Sequence, residues 1–206
     1  MLQHLLLLSL TCLPVASILA AEPQRASQRI GFDTSIELVG GFRSLTDGAW
    51  ESVDSLAAVG VRFAGRYTQL GHHPWPVLVE AELLLAFGSG EDASGNDWSL
   101  RSHDLALGVQ YPIELGSTSH VFVPAAGVLL RDVALENDAA DYRDSASTFG
   151  AYARLGYRSV TSLSVESNLL LGAELRYSMT GDVNLSAAES ANAGSLDIFV
   201  SVGVEF

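Results

Sequence analysis

The feature that most constrains this chain is an alternation of apolar and polar residues that recurs in eight stretches. Successive side chains of a β-strand point to opposite faces, so alternation gives a strand one apolar and one polar face. The last stretch is the clearest, with an apolar side chain at every second position from Leu196 to Phe206. The predicted strands are 31–43, 56–68, 75–87, 100–111, 120–130, 147–158, 163–177 and 195–206.

The connections between these stretches alternate in length. The long connections are 44–55, 88–99, 131–146 and 178–194. The short connections are 69–74, 112–119 and 159–162. Long loops on one rim and short turns on the other are typical of barrels that span the bacterial outer membrane, with the short turns in the periplasm. The sequence therefore predicts an all-β fold, an eight-stranded antiparallel up-and-down transmembrane β-barrel over 31–206, with both termini periplasmic.

Aromatic residues separate this barrel from a soluble β-sandwich. They lie on the apolar face of their strands, in two groups at opposite strand ends. Outer-membrane barrels place aromatic girdles at the two membrane–water interfaces, whereas a sandwich core gives no reason for such sorting. The predicted girdle at the short-turn end is Tyr67, Trp75, Tyr111, Tyr157 and Phe206. At the long-loop end it is Phe42, Phe87, Phe149 and Tyr177.

The other face of the strands is rich in acids and arginines. In an eight-stranded barrel this face lines an interior just wide enough for side chains, where charges must pair. Arginine suits such pairing because its planar guanidinium binds a carboxylate through two hydrogen bonds. The predicted lumen charge network is Glu37, Arg62, Arg66, Glu80, Glu82, Asp104, Arg154, Arg158, Glu166, Glu174, Arg176 and Glu205, with Asp33, Arg43 and Asp197 of the same parity.

The first 21 residues predict a cleaved secretory signal peptide. Its apolar stretches 5–10 and 13–19 are followed by the small residues Ala20 and Ala21. Residues 22–30 are expected to form a polar lead-in to the barrel. The single cysteine, Cys12, lies in the signal, so the mature barrel is expected to have no disulfide and no thiolate ligand.

The formal net charge is −13, and all eleven basic residues are arginine. Nucleic acid is excluded as a partner because phosphate binding needs a basic face. Only Arg131 and Arg143 offset the acids of the long connections, which are Asp47, Glu51, Asp54, Glu91, Asp92, Asp97, Asp132, Glu136, Asp138, Asp141, Asp144, Asp182 and Glu189. These connections are expected to form a solvated anionic surface.

Two acidic connections, 90–97 and 136–144, contain the oxygen ligands that Ca²⁺ prefers. Neither has the spacing of an EF-hand. We therefore predict loose bridging by divalent cations to lipopolysaccharide phosphates, and no dedicated metal site or cofactor.

The C-terminal strand resembles the β-signal that the outer-membrane barrel assembly machinery reads, through Ile198, Val200, Val202, Val204 and Phe206. The mature chain as a whole resembles the small eight-stranded outer-membrane proteins, such as the OmpA transmembrane domain and the OmpX/Ail group. The resemblance is architectural and identifies no subfamily. It implies a monomer whose partners are outer-membrane lipid, lipopolysaccharide and the assembly machinery.

Three functions are compatible with such a barrel. We favour a non-enzymatic structural or surface-interaction protein that displays acidic extracellular loops. The first alternative is a narrow pore or a conduit for small or hydrophobic solutes, for which the fifth strand offers an apolar inner face of Phe122, Ala126, Val128 and Leu130. The second alternative is a lipid A-modifying enzyme.

The enzyme alternative depends on Ser102, His103 and Asp104, which have the residue types of a catalytic triad. Because successive strand residues point to opposite faces, His103 is expected to face lipid while the other two face the lumen. No relay can form, and no catalytic residue is predicted. The pair His72 and His73 is interpreted as part of an interfacial turn rather than a metal site.

Overall fold

The computed structural model describes residues 31–47, 50, 53, 55–68, 77–92, 95–137, 140–185 and 188–206. The predicted signal peptide and lead-in lie outside the described residues, as do the predicted girdle residue Trp75 and the pair His72 and His73. The loop acids Glu51, Asp54 and Asp138 lie outside as well, and so do the side chains of Asp33, Arg66, Tyr67 and Glu189.

The described residues contain eleven strands, of which eight are long and three short. The long strands are β1 (Gly31–Leu45), β2 (Ser55–Thr68), β3 (Leu78–Glu91), β4 (Asp97–Gln110), β6 (Ser117–Asn137), β7 (Tyr142–Ser162), β8 (Asn168–Thr180) and β11 (Ser195–Glu205). The short strands are β5 (Ile113–Leu115), β9 (Asp182–Leu185) and β10 (Ala188–Asn192). No helix in the described part of the chain is long and apolar enough to cross a bilayer.

The eight long strands close into an antiparallel barrel, which confirms the predicted fold. Their order is β4-β3-β2-β1-β11-β8-β7-β6, and β4 pairs with β6 to complete the ring. The first and last strands are locked at the chain end, where Thr34 and Phe206 exchange backbone hydrogen bonds of 3.0 and 2.9 Å. Closure satisfies the backbone without water, which is a requirement for strands in a bilayer.

The exterior of the barrel is an apolar belt. On β11, Ile198, Val200 and Val202 are exposed while Phe199 and Ser201 between them are buried. The same alternation runs around the barrel. The described girdle residues all point outward and are exposed, namely Phe42, Phe87, Tyr111, Phe149, Tyr157, Tyr177 and Phe206. A continuous apolar exterior of this kind fits the hydrocarbon layer of a membrane.

One rim of the barrel projects much farther than predicted. Strands β6 and β7 have 21 residues each, about 70 Å at about 3.4 Å per residue, whereas a transmembrane strand needs about 9–11 residues. The connections predicted at 88–99 and 131–146 shrink to 92–96 and 138–141. The alternation was hidden there because both faces contain polar residues. We name this the hairpin rim, and the opposite rim, which holds Gly31 and Phe206, the terminal rim.

Two further predicted boundaries are corrected. The connection 178–194 contains the β9–β10 hairpin. The seventh predicted strand begins at Asn168 rather than residue 163, because 163–167 forms a turn closed by a 3.0 Å hydrogen bond from the Leu163 N–H to the Ser167 carbonyl.

Candidate functional site: the barrel interior and its cap

The barrel interior contains twelve buried charged side chains in the described part of the chain. They comprise six arginines and six acids, so the buried charge is balanced. The arginines are Arg43, Arg62, Arg131, Arg154, Arg158 and Arg176. The acids are Glu37, Glu80, Glu82, Asp104, Glu174 and Asp197. The net negative charge of the chain therefore resides outside this set.

The part of the interior toward the terminal rim is organised around Arg62. Its guanidinium contacts Glu82 at 2.5 Å and Glu174 at 2.5 Å, and both carboxylates accept a second hydrogen bond from it at 2.9 Å. Arg62 on β2 and Glu82 on β3 are neighbours on adjacent strands, whereas Glu174 on β8 lies across the lumen from Arg62. The pairing with Glu174 is bidentate, and pairing of this kind makes buried charges tolerable.

A second set of contacts surrounds Glu80. Arg154 binds it at 2.6 Å, and the Tyr152 hydroxyl donates to it at 2.5 Å. Arg158 pairs with Glu37 at 2.7 Å. Together with the contacts of Arg62, these form the lower network, defined as Glu37, Arg62, Glu80, Glu82, Arg154, Arg158 and Glu174.

Glycines make room for the tyrosine ring of this region. A Cβ added to Gly108 would lie 2.2 Å from the Tyr152 hydroxyl, and one added to Gly127 would lie 2.7 Å from the Tyr152 ring. Arg176 lies over the face of the ring, with its guanidinium carbon 4.5 Å from the ring centroid. Tyr152 is thus packed among the buried charged side chains that fill the lumen, which we call the plug.

Nearer the hairpin rim, Asp104 is held by two arginines. Arg43 binds it at 2.6 Å and Arg131 at 2.7 Å. Arg43 also binds Asp197 at 3.1 Å. We call these four residues the upper network. Arg176 joins the two networks, since it binds Glu82 and lies 3.6 Å from Asp104.

The structure brings most of the predicted network together but moves two residues. Glu166 was placed in the lumen and instead lies exposed in the 163–167 turn, because β8 begins after it. Arg131 was placed in an exposed connection and is fully buried in the lumen, because β6 continues to Asn137. Glu205 is partly buried at the terminal rim, where its carboxylate accepts a 3.1 Å hydrogen bond from Asn168.

Above the upper network the interior becomes apolar. Barrel side chains such as Leu45, Leu100, Val133 and Leu135 pack there with residues from the connections. The connection residues are Trp50, Val53, Val183, Leu185, Ala191 and Ala193, which we call the cap. The cap was missed because its connections were interpreted as acidic and solvated. Two features of the sequence could have indicated the cap, namely the large apolar side chain of Trp50 and the two-residue spacing of Val183 and Leu185.

Polar contacts tie the cap to the barrel. The Trp50 indole donates to the Asn192 carbonyl at 2.8 Å, and the Asn192 N–H donates to Asp47 at 2.8 Å. The Asn192 side chain donates to the Thr180 carbonyl at 2.7 Å. Arg131 of the upper network donates to the Ala193 carbonyl. The upper network and the cap are therefore joined by hydrogen bonds, and together they fill the lumen near the hairpin rim.

The apolar inner face proposed for the fifth strand is wrong. Ala126 and Val128 are exposed and face outward, and Val123, Ala125 and Leu129 are the buried residues. Both faces of this stretch are apolar, so its parity could not be identified from the pattern. The hydrophobic-solute conduit loses the residues on which it was based.

The triad-like residues lie as expected on opposite faces of β4. Ser102 and Asp104 are buried and both bind Arg43, at 2.7 and 2.6 Å, while His103 is exposed on the outer face. Among the described residues no group of three or more His, Cys, Asp or Glu side chains could hold a metal ion. In the 92–96 turn, Asp92 accepts hydrogen bonds from Asn96 and Trp98.

Comparisons with known proteins reveal likeness in fold only. No family profile and no curated protein sequence matches the chain. The outer membrane protein OprG from Pseudomonas aeruginosa superposes with a TM-score of 0.51 at 14% identity, covering 84% of this chain and 95% of OprG. The chain has the fold of the small outer-membrane β-barrel proteins.

Two other solved structures are similar at lower scores. Neisserial surface protein A has a TM-score of 0.41 at 14% identity, covering 83% of this chain and 96% of its own. The outer membrane protease OmpT from Escherichia coli has a TM-score of 0.41 at 8% identity, covering 85% of this chain and 96% of its own.

Proposed function

We propose that this barrel is a closed, non-enzymatic outer-membrane protein whose role is to hold rigid hairpins at the cell surface. Its termini lie in the periplasm and the hairpin rim faces outward. The observation that carries the proposal is the filled interior, with balanced buried charge below and an apolar cap above. A lumen occupied in this way supports display rather than passage.

The buried arginines argue against a pore because they are committed to carboxylates. Arg43, Arg62 and Arg154 each lie within 4.0 Å of at least two acids. A solute would have to separate these pairs, and leaving a buried charge unpaired costs about 3–5 kcal/mol. The Trp50 and Leu185 side chains occupy the remaining route at the hairpin rim.

The surface that is displayed is the upper part of the β6–β7 hairpin together with the β3–β4 turn. Exposed acids occur there at Glu91, Asp97, Asp132 and Asp141. Paired strands that rise directly from the barrel wall keep this surface rigid, so partners meet it with little ordering cost. We propose lipopolysaccharide, loosely held divalent cations and external surfaces as those partners. The C-terminal strand would meet the assembly machinery during insertion.

Planar-bilayer recording and lipid A mass spectrometry test this role. The folded mature chain is expected to give no single-channel steps. Cells that express it are expected to have the lipid A masses of cells that do not. Protease protection of a barrel-sized fragment in liposomes verifies insertion. Resolved conductance steps would contradict the display role and favour transport. A new lipid A mass would contradict it and favour catalysis.

Orientation is tested separately with one protease site inserted into 138–141 and, as the matched control, into 163–167. In intact cells we expect cleavage at the first site only. Cleavage at the second site alone would show that the barrel has the opposite orientation in the membrane.

A further inference from the structure

A groove of about 470 Å³ lies on the outer surface of the barrel, across β4, β6 and β7. We call it the outer groove and define it by Arg101, His103, Asp132, Ala134, Ser145 and Ser147. These side chains alternate with the buried lumen residues of the same strands, so they face away from the interior.

The groove begins where the apolar belt ends. Leu105, Leu130 and Phe149 are cross-strand neighbours and form the last apolar row on these strands. One step toward the hairpin rim, the next outward row is His103, Asp132 and Ser147. A molecule in the groove would therefore have its polar part among donors and acceptors while its hydrocarbon lay on the belt.

Outward cations are concentrated in this sector. Six of the arginines whose side chains the structure describes are buried in the lumen, and the two that face outward are Arg101 and Arg143. Arg101 lines the groove, its side chain is 61% exposed, and it forms a 3.5 Å ion pair with Glu136. In a chain with net charge −13, a guanidinium at the edge of the belt points to an anionic headgroup.

The groove also contains acceptors. The Ser147 hydroxyl donates to the Asp132 carboxylate, which is exposed and flanked by His103 on the next strand. Three strands at about 4.8 Å spacing give a width near 10 Å, which suits a sugar ring better than a lone phosphate. Guanidinium and hydroxyl donors beside a carboxylate acceptor match a phosphorylated sugar, whose phosphate accepts and whose hydroxyls donate.

We propose that the outer groove binds the phosphorylated glucosamine headgroup of lipopolysaccharide, with Arg101 and Ser145 at a phosphate, Asp132 at a sugar hydroxyl, and the acyl chains on Leu105, Leu130 and Phe149. The inference rests on the proposed orientation, which places the hairpin rim in the outer leaflet. It adds a defined site to a barrel otherwise proposed to meet lipopolysaccharide loosely.

Native mass spectrometry of the folded mature chain in detergent tests the site, with lipid A that has both phosphates as the probe. The comparison lipids are dephosphorylated lipid A and phosphatidylglycerol. Lipid A with both phosphates is expected to bind at least about tenfold more tightly than either, since a charge-assisted hydrogen bond to phosphate is lost or misplaced in them. Equal or tighter binding of phosphatidylglycerol would overturn the assignment to lipopolysaccharide.

Variants separate a built groove from general attraction. Arg101→Gln is expected to weaken lipid A binding about tenfold. The matched control Arg143→Gln removes the same charge from β7 outside the groove and is expected to change binding less than about threefold. Ala134→Glu, which puts a carboxylate between Arg101 and Ser145, is expected to act like Arg101→Gln. Retarded migration of each unheated band relative to wild type would reveal a folding defect.

Unchanged binding in both groove variants, or equal loss in Arg143→Gln, overturns the groove. These outcomes leave the proposed display function intact. Conversely, channel activity or a changed lipid A mass would overturn the display function without affecting the binding result, so the two failures are distinguishable.

Discussion

The lower network and the cap close the same lumen by opposite kinds of contact. Below, Arg62, Glu82 and Glu174 fill the interior with charge. Above, Trp50 and Leu185 fill it with apolar side chains. The lower network joins residues of the barrel wall only, whereas the cap draws on the connections.

The surroundings of the two regions explain this difference. Around the lower network the outside of the barrel is lipid, so burying an apolar side chain inside gains little over leaving it outside. The polar residues of the alternating pattern are left for the interior, and charge pairing must specify its packing. At the hairpin rim the surroundings are water, so the hydrophobic effect acts as in a soluble core. The kind of side chain that fills the lumen therefore depends on whether lipid or water surrounds the barrel at that height.

The largest expected effect comes from breaking the lower network. Arg62→Ala removes the arginine that both Glu82 and Glu174 share and leaves these buried carboxylates with too few donors, which is expected to cost about 3–5 kcal/mol of unfolding free energy. Urea unfolding in lipid vesicles measures it. The control Arg143→Ala, at an exposed arginine, is expected to stay within about 0.5 kcal/mol. Equal effects of the two substitutions would refute the importance of buried pairing.

The next effect sharpens the contrast, because it is expected to be local. Leu185→Ala leaves a cavity in the cap and is expected to destabilise it by about 2–4 kcal/mol. The cap should then open without unfolding the barrel, so proteinase K should cleave near 186–187 faster while the urea midpoint hardly moves. Val165→Ala, at an exposed position on the terminal rim, should change neither. A lowered midpoint for Leu185→Ala would show that the cap and the barrel unfold together.

A smaller effect tests the packing of the plug. Gly108→Ala forces its Cβ against the Tyr152 hydroxyl, and such overpacking is expected to cost about 1–3 kcal/mol. Gly40→Ala is the matched control, since the nearest atom to its added Cβ is the Ala58 carbonyl oxygen at 3.9 Å. The difference in urea midpoint between the two variants measures the effect. A larger loss in Gly40→Ala would contradict this packing.

The smallest effect concerns an exposed ion pair, the counterpart of the buried ones. Glu136→Gln breaks the contact with Arg101 at the hairpin rim and is expected to change the unfolding free energy by less than about 1 kcal/mol, since exposed ion pairs are hydrated and screened. Glu91→Gln on β3 serves as the comparison. A loss of unfolding free energy near that of Arg62→Ala would contradict the distinction between buried ion pairs in the lumen and this ion pair at the hairpin rim.

Local pattern predicted a large part of this structure. Alternation identified the eight barrel strands and the outward direction of aromatic residues such as Phe149 and Tyr177. It also identified inward charges such as Glu37 and Arg176. The predicted inner face was wrong in the fifth stretch, where both faces are apolar and no alternation exists. The predicted strand end was wrong around Arg131, where polar residues on both faces concealed the strand.

The sequence by itself determined the number of barrel strands, the closed antiparallel barrel and the two faces of most of these strands, because the two-residue period is a local property that needs no knowledge of neighbours. Only the tertiary structure decided which charges meet. Arg62 reaches Glu174 across 112 residues of chain, and Arg131 reaches Ala193 of the cap across 62. Those contacts depend on register and closure, which set the opposite walls of the lumen at a fixed distance. The same register places Arg101 of β4 and Ser145 of β7 in one row on the outer surface, on either side of Ala134 of β6, and the two-residue period alone does not predict this row.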